Sequence, residues 1–345
     1  MTPSNRRKFA FWILIGMFSV MFVEVPAGST MFPFSTPWGL LVVVPLYLLH
    51  SVFLVTLVVR FGRCHFWTLY SAGTLYGMYE AYITKVLWVS FRPEGPFVTV
   101  GGIALVETVI LVLFLHPLLA FVVPMYFTEL LCTSSSEIAE GLPTRARDLV
   151  RRHPARVIGL LMAFLGLMQF VNSPSVLRSF LSGAGNSLAL GLALLWWRRS
   201  GGAAYSMRDL LPGPKGLRNF GLVLLVWYGF WGFAIKPKCI PPVWPGQLTI
   251  WLIYAGLILV FVLCLRRSRG VPGPAPDLAP PPAPPFQFSW RGFMLACALA
   301  TGVTTLARLL LFPAVPLQMI CMLTFYVVSG VALLAGLLLH ARRQA

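Results

Sequence analysis

Apolar stretches recur along this chain at the length of a bilayer, and no other feature constrains the fold so strongly. They run at 9–25, 40–59, 66–89, 101–127, 157–172, 184–197, 219–235, 246–265, 291–312 and 316–339. A helix needs about 20 apolar residues to cross about 30 Å of hydrocarbon. In that solvent the backbone must satisfy its own hydrogen bonds, which a helix does. The sequence therefore predicts an all-α polytopic transmembrane helix bundle of about ten spans. The stretches 157–172 and 184–197 are short, with "SPSVLRSFLSG" between them. Read as interfacial or re-entrant segments, they would leave eight or nine spans. Composition agrees, since 11% of residues are charged and 58% hydrophobic, whereas soluble domains carry about 25% charge.

The basic residues test this reading, because Lys and Arg gather on the cytoplasmic side of a membrane. With ten spans and a cytoplasmic N-terminus, the C-terminus is cytoplasmic too. The inner segments then hold 21 of the 27 Lys and Arg, leaving only Lys85, Arg92, Arg178, Lys236, Lys238 and Arg308. Losing one span mid-chain would invert every later loop and spoil the bias. The net charge of +17 is thus a topology signal rather than a nucleic-acid surface: its residues fall in short clusters between apolar runs. The start "SNRRKFAFWILIG" reads as a retained first helix, since no small-residue cleavage site follows it. The expected localisation is the cell membrane, multi-pass, which in a prokaryote is the cytoplasmic membrane.

Two inner loops exceed turn length. "TELLCTSSSEIAEGLPTRARDLVRRHPAR" predicts a short amphipathic helix on the inner surface with its arginines towards anionic lipid. "GVPGPAPDLAPPPAPPF" predicts an extended, polyproline-like spacer. The expected organisation is a main bundle over 1–265, a Pro-rich linker over 266–290 and a final pair of spans over 291–345 in the same membrane domain. Ten spans would accommodate a five-plus-five inverted repeat, yet the halves share no motif that aligns. "SGAGNSLALG" at 182–191 predicts a small-residue face for close helix packing, with Asn186 as a polar tie.

Several chemistries lack their residues. There is no HExxH, no GxSxG on a span and no P-loop. The three aspartates, Asp148, Asp209 and Asp277, all fall in loops, so an intramembrane aspartyl dyad is excluded. The six cysteines show no CxxC and no Cys/His spacing for a metal. No metal and no cofactor is expected.

The polar residues within the apolar runs remain. An ionisable side chain in hydrocarbon costs at least about 2.5–3.5 kcal/mol and faces protein or water. Glu24, Glu80, Lys85, Glu107 and Arg308 all fall at similar depth in the outer half of four helices, with Arg92 beyond a helix end and His116 deeper. Glu80 and Lys85 stand about 140° apart around one helix, too far for an intrahelical pair. Glu80 shares its face with Tyr76 and Thr84, and Arg308 is its expected partner across helices. Lys85 is expected to serve Glu107 or Glu24, or to reach the outer interface. The candidate site is an outward-facing polar pocket of Glu24, Tyr76, Glu80, Lys85, Glu107 and Arg308, with Arg92 and His116 as secondary candidates.

Three functions fit such a pocket. The leading one is a secondary transporter or permease in which buried glutamates take up H⁺ or a cationic substrate. The second is an intramembrane enzyme acting on a lipid-borne substrate, with Glu80 or Glu107 as acid or base and Lys85 and Arg308 holding an anion. The third is a scaffold subunit whose ion pairs are structural. Partners are the lipid bilayer, a small-molecule, ion or lipid substrate and other membrane subunits, with no nucleic acid.

Overall fold

In a computed structural model the chain is described over residues 3–92, 94–269 and 289–343. Among the described residues ten long helices form where the apolar runs lie. They are α1 (Asn5–Ala27), α2 (Gly39–Phe61), α3 (Phe66–Thr84), α4 (Leu105–Cys132), α5 (Pro154–Asn172), α6 (Val176–Arg199), α7 (Pro214–Ala234), α8 (Val243–Ser268), α9 (Trp290–Leu310) and α10 (Val315–Arg343). Eight are long and apolar enough to cross a membrane, and α3 and α7 fall outside that set. The protein is an all-α polytopic bundle. The stretches weighed as interfacial are full helices of 19 and 24 residues, α5 and α6, separated by only three residues. The Pro-rich segment 270–286 lies outside the described residues.

One boundary differs from expectation. The fourth apolar run was read from 101, but a hairpin precedes the helix. Strand β1 (Thr99–Val100) pairs antiparallel with β2 (Ile103–Ala104), and α4 starts at Leu105. Gly101 and Gly102 turn the hairpin at φ of 58° and 77°, a conformation that favours residues without a Cβ. Gly102 is also held by space, because a Cβ there would lie 3.0 Å from the Gly246 Cα.

The chain divides into two compact units, Met1–Val52 with Val123–Pro212 and Pro272–Met322, and Phe53–Val122 with Gly213–Val271 and Leu323–Ala345. In the first, α1, the end of α4 and α9 build an aromatic core in which Phe22 lies 5.0 Å from Phe127 and Phe18 5.6 Å from Phe293. The small residues of 182–191 pack as expected. Gly183 faces Thr301, Gly191 faces Met294, and Ser182 and Asn186 both donate to the Met31 carbonyl at 2.6 and 2.7 Å. Gln169 and Thr304 join helices. The Gln169 amide donates to Ser182 at 3.1 Å, and the Thr304 hydroxyl donates to the Gly166 carbonyl at 2.9 Å.

The loop after α4 folds back on the same unit. Its helix Thr144–Arg152 carries four arginines, two of which turn to Glu140 rather than outward, Arg147 at 3.2 Å and Arg151 at 2.5 Å. Buried Glu129, at the end of α4, accepts the backbone N–H groups of Ile138 and Ala139, both at 2.9 Å. These are free donors at the first turn of the short helix Glu137–Gly141, so the carboxylate caps it and ties the loop down.

In the second unit α3 lies against α4, and α4 is wound as a π-helix from Val109 to Val122 with Pro117 inside. Proline has no N–H to give the preceding turn. In the turn before it, the Tyr70 hydroxyl of α3 donates to the Leu113 carbonyl at 2.7 Å, a side-chain bond to backbone of the kind interrupted membrane helices use.

Candidate functional site

The polar centre of the second unit begins with two glycines. Gly73 and Gly77 stand four apart on α3 and admit the α4 backbone, so that a Cβ on Gly73 would lie 2.5 Å from the Pro117 Cα and one on Gly77 2.9 Å from the Val112 Cα. Tyr76 lies about one turn on from Gly73, and Glu80 about one turn on from Gly77. The close approach brings both to His116 on α4. The Glu80 Oε2 lies 3.3 Å from His116 Nε2, with side chains 12% and 3% exposed. The Tyr76 ring packs 5.7 Å from the imidazole.

The second ring nitrogen decides the protonation chemistry. His116 Nδ1 lies 3.0 Å from the Leu111 carbonyl, and a carbonyl can only accept, so Nδ1 carries the hydrogen. Nε2 then faces Glu80 in one of two ways. Either a protonated carboxyl meets a bare nitrogen, or a carboxylate meets an imidazolium. Both arrangements are neutral overall and both hold one mobile proton. A neutral pair avoids the cost of an isolated charge in hydrocarbon.

The sequence expectation paired Glu80 with Arg308. The partner found for Glu80 is His116, and the Arg308 guanidinium donates to the Pro174 carbonyl at 3.1 Å and covers the Phe312 ring at 4.5 Å. The expectation for Lys85 also fails. Its ammonium neither serves a carboxylate nor reaches an interface. It is fully buried and donates to the carbonyls of Tyr82 (3.2 Å), Ile83 (3.1 Å) and Gly232 (2.6 Å). Three donors meet three acceptors. Lys85 itself terminates α3 with φ of 67°, and its charge sits where the carbonyl end of the helix attracts a cation.

Glu107, expected within a run read from 101, lies in the first turn of α4, fully buried. One carboxylate oxygen accepts the Ser90 hydroxyl at 2.6 Å and the Phe97 N–H at 3.1 Å, so Glu107 organises the loop between α3 and the hairpin. Arg92, in that loop, pairs with Glu94 at 3.3 Å and lies 3.9 Å over the Phe97 ring. Glu24 belongs to the first unit, where it accepts the Ser29 hydroxyl at 2.6 Å and the Tyr47 hydroxyl. Of the eight sequence candidates, Tyr76, Glu80 and His116 thus meet one another. Glu107 and Arg92 share the loop network around Ser90 and Phe97, and Lys85, Glu24 and Arg308 each have partners of their own.

Three features escaped the sequence reading. Glu129 was counted with a loop, and its cap on Glu137–Gly141 is readable only in three dimensions. His50 is a buried ionisable group whose Nδ1 lies 2.6 Å from the Leu46 carbonyl. The Gly73-x-x-x-Gly77 spacing was in plain view as a close-packing signal.

A model described as an uncharacterized membrane protein family matches residues 13–343, and the chain belongs to that family. A protein of Archaeoglobus fulgidus, described as an uncharacterized protein, is 31% identical over 264 residues, which cover 75% of this chain and 78% of that one. No solved structure matches the chain. Family and helices together make it a multi-pass membrane protein.

Proposed function

We propose that this member of the uncharacterized membrane protein family is a secondary transporter, with the Glu80–His116 pair as its proton-coupling site and Tyr76 packed against the imidazole. One observation carries the reading: an acid on α3, its side chain 12% exposed, lies 3.3 Å from a buried imidazole on a π-wound, proline-interrupted helix. Transporters build their coupling sites from interrupted helices, and π-turns recur at functional sites. The pair is neutral with its proton bound and carries one negative charge once the proton leaves, so release of the proton favours entry of a cation in its place. In this reading the Lys- and Arg-rich loops face the cytoplasm and the membrane is the cell membrane.

The enzyme reading loses Lys85 as an anion holder, because all three of its donors are already on carbonyls. The scaffold reading predicts that neutralising Glu80 harms assembly and nothing else. Purified protein in pyranine-loaded vesicles under an imposed potential distinguishes them. A panel of amines, amino acids and organic anions is added outside, and internal pH is followed. At least one class should drive proton movement in wild type and none in Glu80→Gln. Glu107→Gln, which alters only the loop network, should keep the response. Failure of wild type to differ from empty vesicles across the panel, or an unchanged response in Glu80→Gln, would refute the proposal.

A further inference from the structure

A cavity of about 20 Å³ in the first unit is walled by three sulfur-bearing side chains from three helices, Met21 of α1, Met162 of α5 and Cys297 of α9. The packing of α5 on α9 explains how two of them meet. Gly166 and Ala300 are small enough for backbone contact, so that a Cβ on Gly166 would lie 2.6 Å from the Ala300 carbonyl oxygen. Further along, the Thr304 hydroxyl reaches the Gly166 carbonyl at 2.9 Å and the Gln169 carboxamide oxygen at 3.3 Å. The two helices therefore run side by side in one direction, and about one turn before this contact come Met162 and Cys297. The end of α1 is tied to the end of α5, where the Asn172 amide donates to the Pro26 carbonyl at 3.1 Å. That tie brings Met21, in the preceding turns of α1, to the same wall.

Little else in the wall can hold a ligand. Gln169, its one carboxamide, already donates to Ser182 at 3.1 Å and accepts from Thr304. A cavity of this size takes about one water-sized body, and a water needs about 2–4 polar partners. Thioethers are flexible and ordinarily close such gaps, and here two of them line one. A separate observation concerns the thiol. Ser187 of α6 is buried, its hydroxyl has no hydrogen-bond partner, and it lies beside the Cys297 sulfur. Its hydrogen is available to that sulfur when the sulfur carries charge.

We infer that this cavity binds one Cu(I) ion, with the Cys297 thiolate and the Met21 and Met162 thioethers as ligands and Ser187 supporting the thiolate. Thiolate and thioether sulfur are soft donors that select Cu(I), whereas carboxylate and carbonyl oxygen suit Mg²⁺ and Ca²⁺. Zinc takes its ligands from Cys, His and carboxylates, and among the described residues no three such side chains gather. Binding exchanges the thiol proton for the metal: Cys–SH and Cu⁺ give Cys–S–Cu and H⁺, which leaves to water, with no change of oxidation state. The loaded site is neutral and avoids the cost of a charge in hydrocarbon. Its ligands come from three helices, so no spacing in the sequence announces them. The site belongs to the first unit and the Glu80–His116 pair to the second, so neither reading depends on the other.

Anaerobic titration of the full chain in detergent tests the inference, with Cu(I) supplied as its coloured bicinchoninate complex. Wild type should withdraw an equivalent of copper from the chelator. Cys297→Ala should lose that equivalent, and Cys321→Ala, which removes an exposed thiol outside the cavity, should keep it. Ser187→Ala should weaken binding by about 10–100-fold, the usual cost of removing a group that supports a metal ligand. Met21→Leu/Met162→Leu conserves volume, so the fold tolerates it, and it should weaken binding at least as much. This pair decides the matter should Cys297→Ala not accumulate. Failure of wild type to take copper from the chelator overturns the inference. So does binding unchanged in Cys297→Ala or in Met21→Leu/Met162→Leu, or copper that an equal concentration of Zn²⁺ displaces.

Discussion

Replacing Gly73 by alanine tests the close approach of α3 and α4 that creates the Glu80–His116 pair. The added Cβ would sit 2.5 Å from the Pro117 Cα and 3.0 Å from the Pro117 carbonyl oxygen. Ordinary carbon contacts are about 3.5–4.0 Å, so α4 must retreat by about 1 Å. Both contacts are backbone, and Pro117 has little freedom to yield. Overpacking of this kind costs about 1–3 kcal/mol, against which alanine's better helix propensity returns at most about 1 kcal/mol. A fall of a few degrees in the thermal midpoint in detergent is expected. Gly256→Ala is the matched control: its Cβ meets nothing within 4 Å, so only the propensity gain remains and the midpoint should hold or rise. If Gly73→Ala were as stable as Gly256→Ala, the helices would not be as close as described, and the argument for the pair would lose its base.

Two further substitutions probe the local networks. Lys85→Met removes the shared donor of the Tyr82, Ile83 and Gly232 carbonyls and should destabilise by about 1–3 kcal/mol, read as a lower thermal midpoint. Lys85→Arg, with the wrong donor geometry for three convergent carbonyls, should not restore it fully. Glu129→Ala uncaps Glu137–Gly141 by removing the acceptor of the Ile138 and Ala139 N–H groups. It should cost about 0.5–2 kcal/mol and raise the rate of limited proteolysis within 133–142, which Glu129→Gln, still an acceptor, should do less.

Period and length made the helices legible: each of the ten apolar runs became a helix, including the two short ones at 157–172 and 184–197. The start of α4 was misplaced because Val98, Val100, Ile103 and Ala104 are as apolar in a hairpin as in a helix. The Gly101-Gly102 turn signal was the cue that outweighed them. The face shared by Tyr76 and Glu80 followed from helical geometry and holds. Their partner did not follow, for a directional reason. Side chains lean towards the start of their own helix, so on two antiparallel helices Glu80 and His116 lean towards each other and close an axial gap. Depth counted from helix starts alone kept them apart. The Lys85 site was illegible because it rests on a left-handed residue, φ 67°, which sequence rarely announces for lysine.

The account stands most directly on how the Glu80–His116 pair holds its proton. Solid-state NMR of the histidine ring nitrogens, with His116 assigned by its loss in His116→Gln, measures it in lipid. Nδ1 should be protonated, as its place 3.0 Å from the Leu111 carbonyl requires. Nε2 should show a hydrogen-bonded signal that shifts when Glu80 becomes Gln. An unprotonated Nδ1, or a His116 spectrum indifferent to Glu80→Gln, would contradict the shared proton and with it the proposed coupling site.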